Sequence, residues 1–244
     1  MKYSWILVLS VVLACAVGQS AFAVDQELQN LPFEKKLQLA KAGDAEARMA
    51  LAEAYELGQG TKLSAAEAAK WYRELALTGN LEAQFRLAKL VRKGAAGVKV
   101  DKAAALALLL NAAKKGHAPS ENLYGMMVQN GDGAPKDEKA ALEWYHKAAD
   151  QDLAEAQNNL GVMLLLGKGT ARNLDEAFKM FSKAASGKDT FAMNNLGGMY
   201  EKGWAVPQDL GIAKNLYKSA ADLGNDTAKK NYERLNAPQA AVAP

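Results

Sequence analysis

Apolar residues recur in this chain at i, i+3, i+4, i+7 and i+8, the single stripe of an amphipathic helix, and the stripe itself repeats. Trp71-Tyr72, Leu108-Leu109, Trp144-Tyr145, Met180-Phe181 and Leu216-Tyr217 follow one another at 37, 36, 36 and 36 residues. Three residues ahead of each pair stands Ala68, Ala105, Ala141, Ala177 or Ala213. Small and large residues alternate along the stripe, so neighbouring helices can approach over alanine and interlock at the pairs. This reading places Trp144 and Tyr145 alike in the interior. Ser64, Asp101, Asp137, Asn173 and Asp209 all fall seven residues before a pair, and each is a preferred N-cap. Ser64 with Glu67 also has capping-box spacing. Gly79, Gly116 and Gly224 supply helix stops, and Asp152 and Lys188 hold those places in the other two copies.

A second helix precedes each of these. It opens at Ala47, Ala83, Ser120, Ala156, Ala192 or Ala228, and four residues on come Leu51, Leu87, Tyr124, Leu160, Leu196 and Tyr232. A small residue follows in five copies: Ala52, Ala88, Gly125, Gly161 and Gly197. Gly58-Gln59-Gly60, Gly131-Asp132-Gly133 and Gly167-Lys168-Gly169 make the reversing turns, and the longer Gly94-Ala95-Ala96-Gly97 turn explains the single spacing of 37.

The unit is therefore helix, glycine turn, capped helix. It resembles the Sel-one-like repeat, a relative of the tetratricopeptide repeat, in three features. These are the A-x-x-x-L-G start (Ala156 to Gly161, Ala192 to Gly197), the G-x-G turn, and the A-x-x-W-Y-x-x-A-A helix (Ala141 to Ala149). The second copy departs most, with Leu106 to Leu110 where aromatics are usual. The expected fold is all-α: a right-handed α/α solenoid, or superhelix, of about five 36-residue helix-turn-helix repeats. The copies span 45–80, 81–117, 118–152, 153–188 and 189–225. A capping helix is expected at each end, within 24–44 and at 226–235, with residues 236–244 a disordered tail.

Residues 1–23 have a different character. Lys2 is their only charge, Trp5 to Val17 is apolar, and Ala21-Phe22-Ala23 is a small-x-small cleavage site, so the stretch reads as a secretory signal peptide. Acylation at Cys15 as a lipoprotein is the rival, opposed by Leu13 and by the apolar run continuing past the cysteine. The run is shorter than the ~20 residues that span a bilayer, so no membrane span is expected. Export, and by family resemblance a bacterial periplasm, is the expected location.

Composition narrows the chemistry. Thirty Lys+Arg against 27 Asp+Glu, with no concentrated basic face, speak against a nucleic-acid partner. One Cys and two His leave no Cys/His metal site and no internal disulfide, so no metal and no cofactor are expected. His117 and His146 are the neutral-pH bases; their equivalents in other copies are Asn80 or Asn225 and Arg73 or Lys218, ordinary polar surface types, and a catalytic residue is not expected. Gly161 to Thr170 fails the phosphate-loop spacing, since Leu166 occupies the second glycine position. Cysteine-rich relatives described as β-lactam-binding carry a disulfide in each repeat, and this chain has none to offer after residue 23.

The expected function is a non-enzymatic scaffold or adaptor holding a protein or peptide ligand in a concave groove lined by the first helices, with assembly of an envelope complex or control of a sensor as the roles that the family resemblance implies. A cell-wall or β-lactam hydrolase and a self-assembling structural module are the alternatives. Residues two before and two after the conserved-position leucine point toward the groove, and Asn122, Asn158 and Asn194 form an amide row suited to a peptide backbone. Asn159 and Asn195 match the asparagine usual in tetratricopeptide relatives. Whether the asparagines serve a ligand or the neighbouring helix is left open by the pattern. Met126, Val162 and Leu165 supply apolar groups beside them, and Trp204 is a further contact in a turn or a cover for Pro207. Glu53 and Glu56 are expected to pair with Lys89 and Arg92 across the first two copies.

Overall fold

The computed structural model describes residue 28 and residues 30–237; the stretch 1–23 expected to direct export, Cys15 within it, and residues 238–244 of the expected tail lie outside the described residues. The described residues form twelve helices, with one isolated bridge, Ala95 to Val98, as the sole β pairing among them. Two compact units divide after Asp101.

The first unit contains α1 (Phe33–Lys41), α2 (Ala45–Leu57), α3 (Ala65–Leu77) and α4 (Leu81–Lys93), each packed on the next. The second contains α5 (Lys102–Lys114), α6 (Ala118–Asn130), α7 (Glu138–Ala149), α8 (Ala154–Leu166), α9 (Leu174–Ser186), α10 (Thr190–Lys202), α11 (Leu210–Asp222) and α12 (Asp226–Asn236), packed in the same succession.

Four of the five expected caps are seen. Ser64, Asp137, Asn173 and Asp209 each accept the backbone N–H of the third residue on, at 2.9–3.3 Å. Their own N–H groups point the other way: those of Ser64, Asp137, Asn173 and Asp209 donate to the carbonyls of Tyr55, Val128, Leu164 and Tyr200, nine residues earlier. One residue thus starts the second helix and clamps it to the first, and the reciprocal half of the Ser64–Glu67 box is replaced by the bond to Tyr55. A further set of caps starts the first helices. Asp44, Asn80, Asp189 and Asn225 accept from Ala47, Ala83, Ala192 and Ala228 at 2.7–2.9 Å, so Asn80 and Asn225 are helix starts rather than plain surface.

In four of the five large pairs only the second residue fills the core; in the first pair Trp71, 8% exposed, is buried alongside Tyr72. Tyr72, Leu109, Tyr145, Phe181 and Tyr217 are at most 2% exposed, whereas Leu108, Trp144, Met180 and Leu216 are half-buried. Trp144 is thus not an interior residue: its ring stands edge-on to Tyr124 at 5.4 Å, under the Lys147 ammonium. Successive helical positions are turned by about 100°, so in those four pairs the first residue sits at the margin of the stripe. The small residue after each leucine makes room for the buried ring. A Cβ on Gly161 would stand 2.7 Å from Phe181, and one on Gly197 2.9 Å from Tyr217.

The turns also join one repeat to another. Gly169 lies against the Glu138 carbonyl and Gly133 against that of Lys102, close enough that a Cβ would fall at 2.5 and 2.7 Å. Asp152 and Lys188, in the places of stop glycines, take left-handed backbone at φ 59° and 63°, as does Ala205 at φ 62° in the third position of the last turn.

Candidate functional site

The first helices of the second unit carry every candidate residue except Trp204, which lies in the turn after α10. Asparagine amides tie these helices together: Asn159 Nδ2 donates to Asn122 Oδ1 at 2.9 Å, Asn195 to Asn158 at 2.9 Å, and Asn231 to Asn194 at 2.8 Å. Each bond joins a residue to one 37 positions back, linking α6, α8, α10 and α12. Asn122 and Asn158 are 3% and 9% exposed, so at those two positions the row expected to face a ligand is turned into the junction between repeats. Each short amide bridges the first helices of neighbouring repeats. Asn159, Asn194 and Asn195 are half-buried. Each of Asn159 and Asn195 uses one N–H in the ladder, leaving its carbonyl and second N–H without a protein partner among the described residues.

Met126, Val162 and Leu165 are half-buried and pack on the edge of the core between Ala141 and Met199. The row containing Leu165 meets the buried rings. Tyr72, Tyr145 and Tyr217 donate their hydroxyls to Glu56, Gln129 and Glu201, each sixteen residues earlier, at 2.6–2.8 Å. At the same register the fourth copy has Phe181 and Leu165. Where the buried ring loses its hydroxyl, the acceptor opposite becomes a leucine. This internal pairing was legible as a fixed offset of sixteen. Burial pushes the Tyr145 and Tyr217 hydroxyls above their ordinary range, while the Arg234 guanidinium, 2.8 Å away, holds the Glu201 carboxyl below its own.

In the first unit the cation facing Glu53 and Glu56 is Arg86, at 3.4 and 3.6 Å, rather than the expected Lys89 and Arg92; it also bonds Glu82. The match runs diagonally between helices instead of row to row. Trp204 is half-buried, with the Arg172 guanidinium 5.1 Å and the Lys202 ammonium 4.4 Å from its ring centre.

A hydrolytic centre finds little material. His117 Nδ1 lies 2.8 Å from Ser120 Oγ, but Ser120 is completely buried at the start of α6, where no substrate reaches it. Among the described residues no group of three or more His, Cys, Asp or Glu could hold a metal ion, and no helix is long and apolar enough to cross a membrane.

The repeat length, the paired caps and the ring-on-glycine packing together fit one family model, the Sel1 repeat, which matches residues 44–80, 81–117, 118–153, 154–189 and 190–225. The chain belongs to the Sel1 repeat family. Among solved structures this Sel1 repeat chain is similar to a Sel1 repeat protein from Oxalobacter formigenes, at 26% identity and a TM-score of 0.74 over 84% of this chain and 90% of that one. It is also similar to c5321, a protective antigen of uropathogenic Escherichia coli with an SLR fold, at 28% identity and a TM-score of 0.64; the match takes 84% of this chain and 52% of that one. Immunity protein Pa5087 from Pseudomonas aeruginosa shares the fold at 23% identity and a TM-score of 0.53, over 75% and 67% of the two chains. No curated protein matches the sequence.

Proposed function

We propose that the chain is a non-enzymatic interaction scaffold, exported through residues 1–23, that holds an extended protein segment along α6, α8 and α10. One observation carries this reading: Asn159 and Asn195, 36 residues apart and half-exposed, each keep a carbonyl and an N–H with no protein partner. An extended backbone offers the complementary N–H and carbonyl groups, and an amide already fixed by its ladder bond loses little freedom on binding. Val162 and Met126 beside them supply partly exposed apolar surface for a ligand side chain. Sel1 repeat proteins generally serve as protein-interaction scaffolds, which agrees with this use of the face.

The test is binding after a charge is placed on that surface. Partners are captured from an envelope extract by the protein and by a Val162→Glu, Met126→Glu variant whose helical circular dichroism is intact. The captured segment is then narrowed to a peptide and titrated. The face is the site if the variant binds that peptide about tenfold or more weakly, the range lost when a contact at the centre of an interface is broken. Equal affinity refutes it.

A further inference from the structure

We propose that the turn at Trp204 is a docking point for an acidic segment of a protein partner, with an Asp or Glu carboxylate held by Arg172 and Lys202 at the edge of the indole. This rests on the scaffold reading and names the chemistry of its partner.

The turn residue is polar in three other copies, Gln59, Asp132 and Lys168, and only here an aromatic. Two cations reach the Trp204 ring, the Arg172 guanidinium carbon at 5.1 Å and the Lys202 ammonium at 4.4 Å. Arg172 is held in place from behind, its Nε donating to the Leu165 carbonyl at 3.0 Å. That bond occupies one N–H, and the guanidinium carbon stands over the ring. Its terminal N–H groups make no hydrogen bond, and Arg172 and Lys202 form no salt bridge with the described residues, although both are exposed. Glu201, the acid next to Lys202, is already engaged by the Tyr217 hydroxyl and by Arg234.

A guanidinium placed over a ring and fixed at Nε leaves its terminal N–H groups to meet a carboxylate as a fork. The ammonium adds a second positive charge, and the indole gives the ligand's methylene groups an apolar wall. Two cations beside one aromatic suit a single carboxylate; a phosphate backbone would call for a longer basic track.

The experiment titrates the purified protein with dye-labelled short peptides alternating Glu and Ala, or Gln and Ala, by fluorescence anisotropy. The expected result is about tenfold tighter binding of the Glu peptide, as charge-assisted hydrogen bonds provide, with the advantage shrinking as salt rises. Arg172→Gln should remove most of that advantage. It is a clean substitution, because Gln208 occupies the same place in the next turn and keeps the equivalent bond, donating to the Glu201 carbonyl at 2.7 Å. Lys202→Gln and Trp204→Leu should each weaken the Glu peptide, and Lys183→Gln, an exposed lysine on α9, should not. The proposal is overturned if the two peptides bind equally, if neither binds, if Lys183→Gln weakens binding as much as Arg172→Gln, or if inorganic phosphate competes as well as the peptide. The Val162→Glu, Met126→Glu variant separates the two readings: an intact preference for the Glu peptide there places the carboxylate site at the turn, whatever becomes of the α6–α8–α10 face.

Discussion

Glu121 occupies a position that other repeats fill with a hydrogen-bond donor, and replacing it should strengthen the protein. Arg48 donates to the Ala40 carbonyl at 3.0 Å, Gln84 to Ala76 at 3.1 Å and Gln157 to Ala149 at 3.3 Å, each eight residues back. By register the carbonyl facing Glu121 is that of Ala113, which already accepts from Gly116 as Ala76 and Ala149 accept from Gly79 and Asp152. A carboxylate cannot donate there. Glu121 is 3% exposed, and burial raises its carboxyl above the ordinary range, opposed by Lys147, by the 2.8 Å bond from Gln151 and by His117.

Glu121→Gln keeps an acceptor for Gln151, adds the missing donor and removes the buried charge. Against this it loses the attraction of Lys147 and His117. One net hydrogen bond is worth about 1 kcal/mol, and leaving a buried group poorly matched costs more, so the variant should be about 1 kcal/mol more stable at neutral pH. With m of about 2 kcal/mol/M, the urea midpoint should rise by about 0.5 M. The sign with pH follows from the raised value. Protonated Glu121 can donate as glutamine does, so its favourable contribution is complete below the unfolded carboxylate pKa of about 4.3 and is lost as pH rises through the higher folded value. The gap between variant and wild type should therefore close toward acid and open toward neutral pH. Urea melts followed by far-UV circular dichroism across that range test it. A variant less stable than wild type at neutral pH, or a gap that does not change with pH, would mean that Lys147, Gln151 and His117 fully satisfy the charge.

Four further outcomes are expected. Ala205→Gly should stabilise by about 1 kcal/mol in a urea melt, since φ 62° is strained for any residue with a Cβ, and Asp152→Gly and Lys188→Gly should shift the same way. Gly161→Ala should cost about 1–2 kcal/mol by thermal melting, because the new Cβ meets Phe181 at 2.7 Å; Ala52 in the first copy shows that repacking a junction of this kind is possible at some cost. Tyr145→Ala should cost about 3–5 kcal/mol and Trp144→Ala clearly less, and equal losses in denaturant melts would contradict their different burial. Glu201 should show the opposite pH sign to Glu121: its carboxyl is held low by Arg234, so its contribution is present above the unfolded carboxylate pKa and lost as pH falls through the folded value, and Glu201→Gln should abolish that acid loss in melts.

The repeat could be read from the chain because its signals are local. A cap seven residues before a large pair, or a glycine after a leucine, acts within one helix or one turn, and periodicity exposes it. The contacts between repeats were harder to read. A stripe says which face of a helix is apolar, but Trp144 and Tyr145 both touch it, and only the packed neighbour decides which of the two is enclosed. Row-to-row matching at 36 residues pointed Glu53 and Glu56 at Lys89 and Arg92, yet the ion pairs run to Arg86, 33 and 30 residues on. The asparagines show the same slip, since their bonds span 37 residues and join neighbouring rows. A repeat translates each helix and also rotates it, and that rotation is not written in the spacing.

In two of its three bonds the asparagine ladder encloses the acceptor and leaves the donor half-open, and our proposal assigns the ligand to the donor end. Asn122 and Asn158 accept and are enclosed; Asn159 and Asn195 donate and remain half-open. A bond that sets the register of two repeats also fixes the amide plane of the half-open partner, which on the proposed function presents its remaining carbonyl and N–H in a set geometry. For this reason an alanine at Asn159 would loosen a junction and remove a binding group together. Val162→Glu on the same face and Arg172→Gln at the turn leave every ladder bond in place, so they probe binding with the register intact.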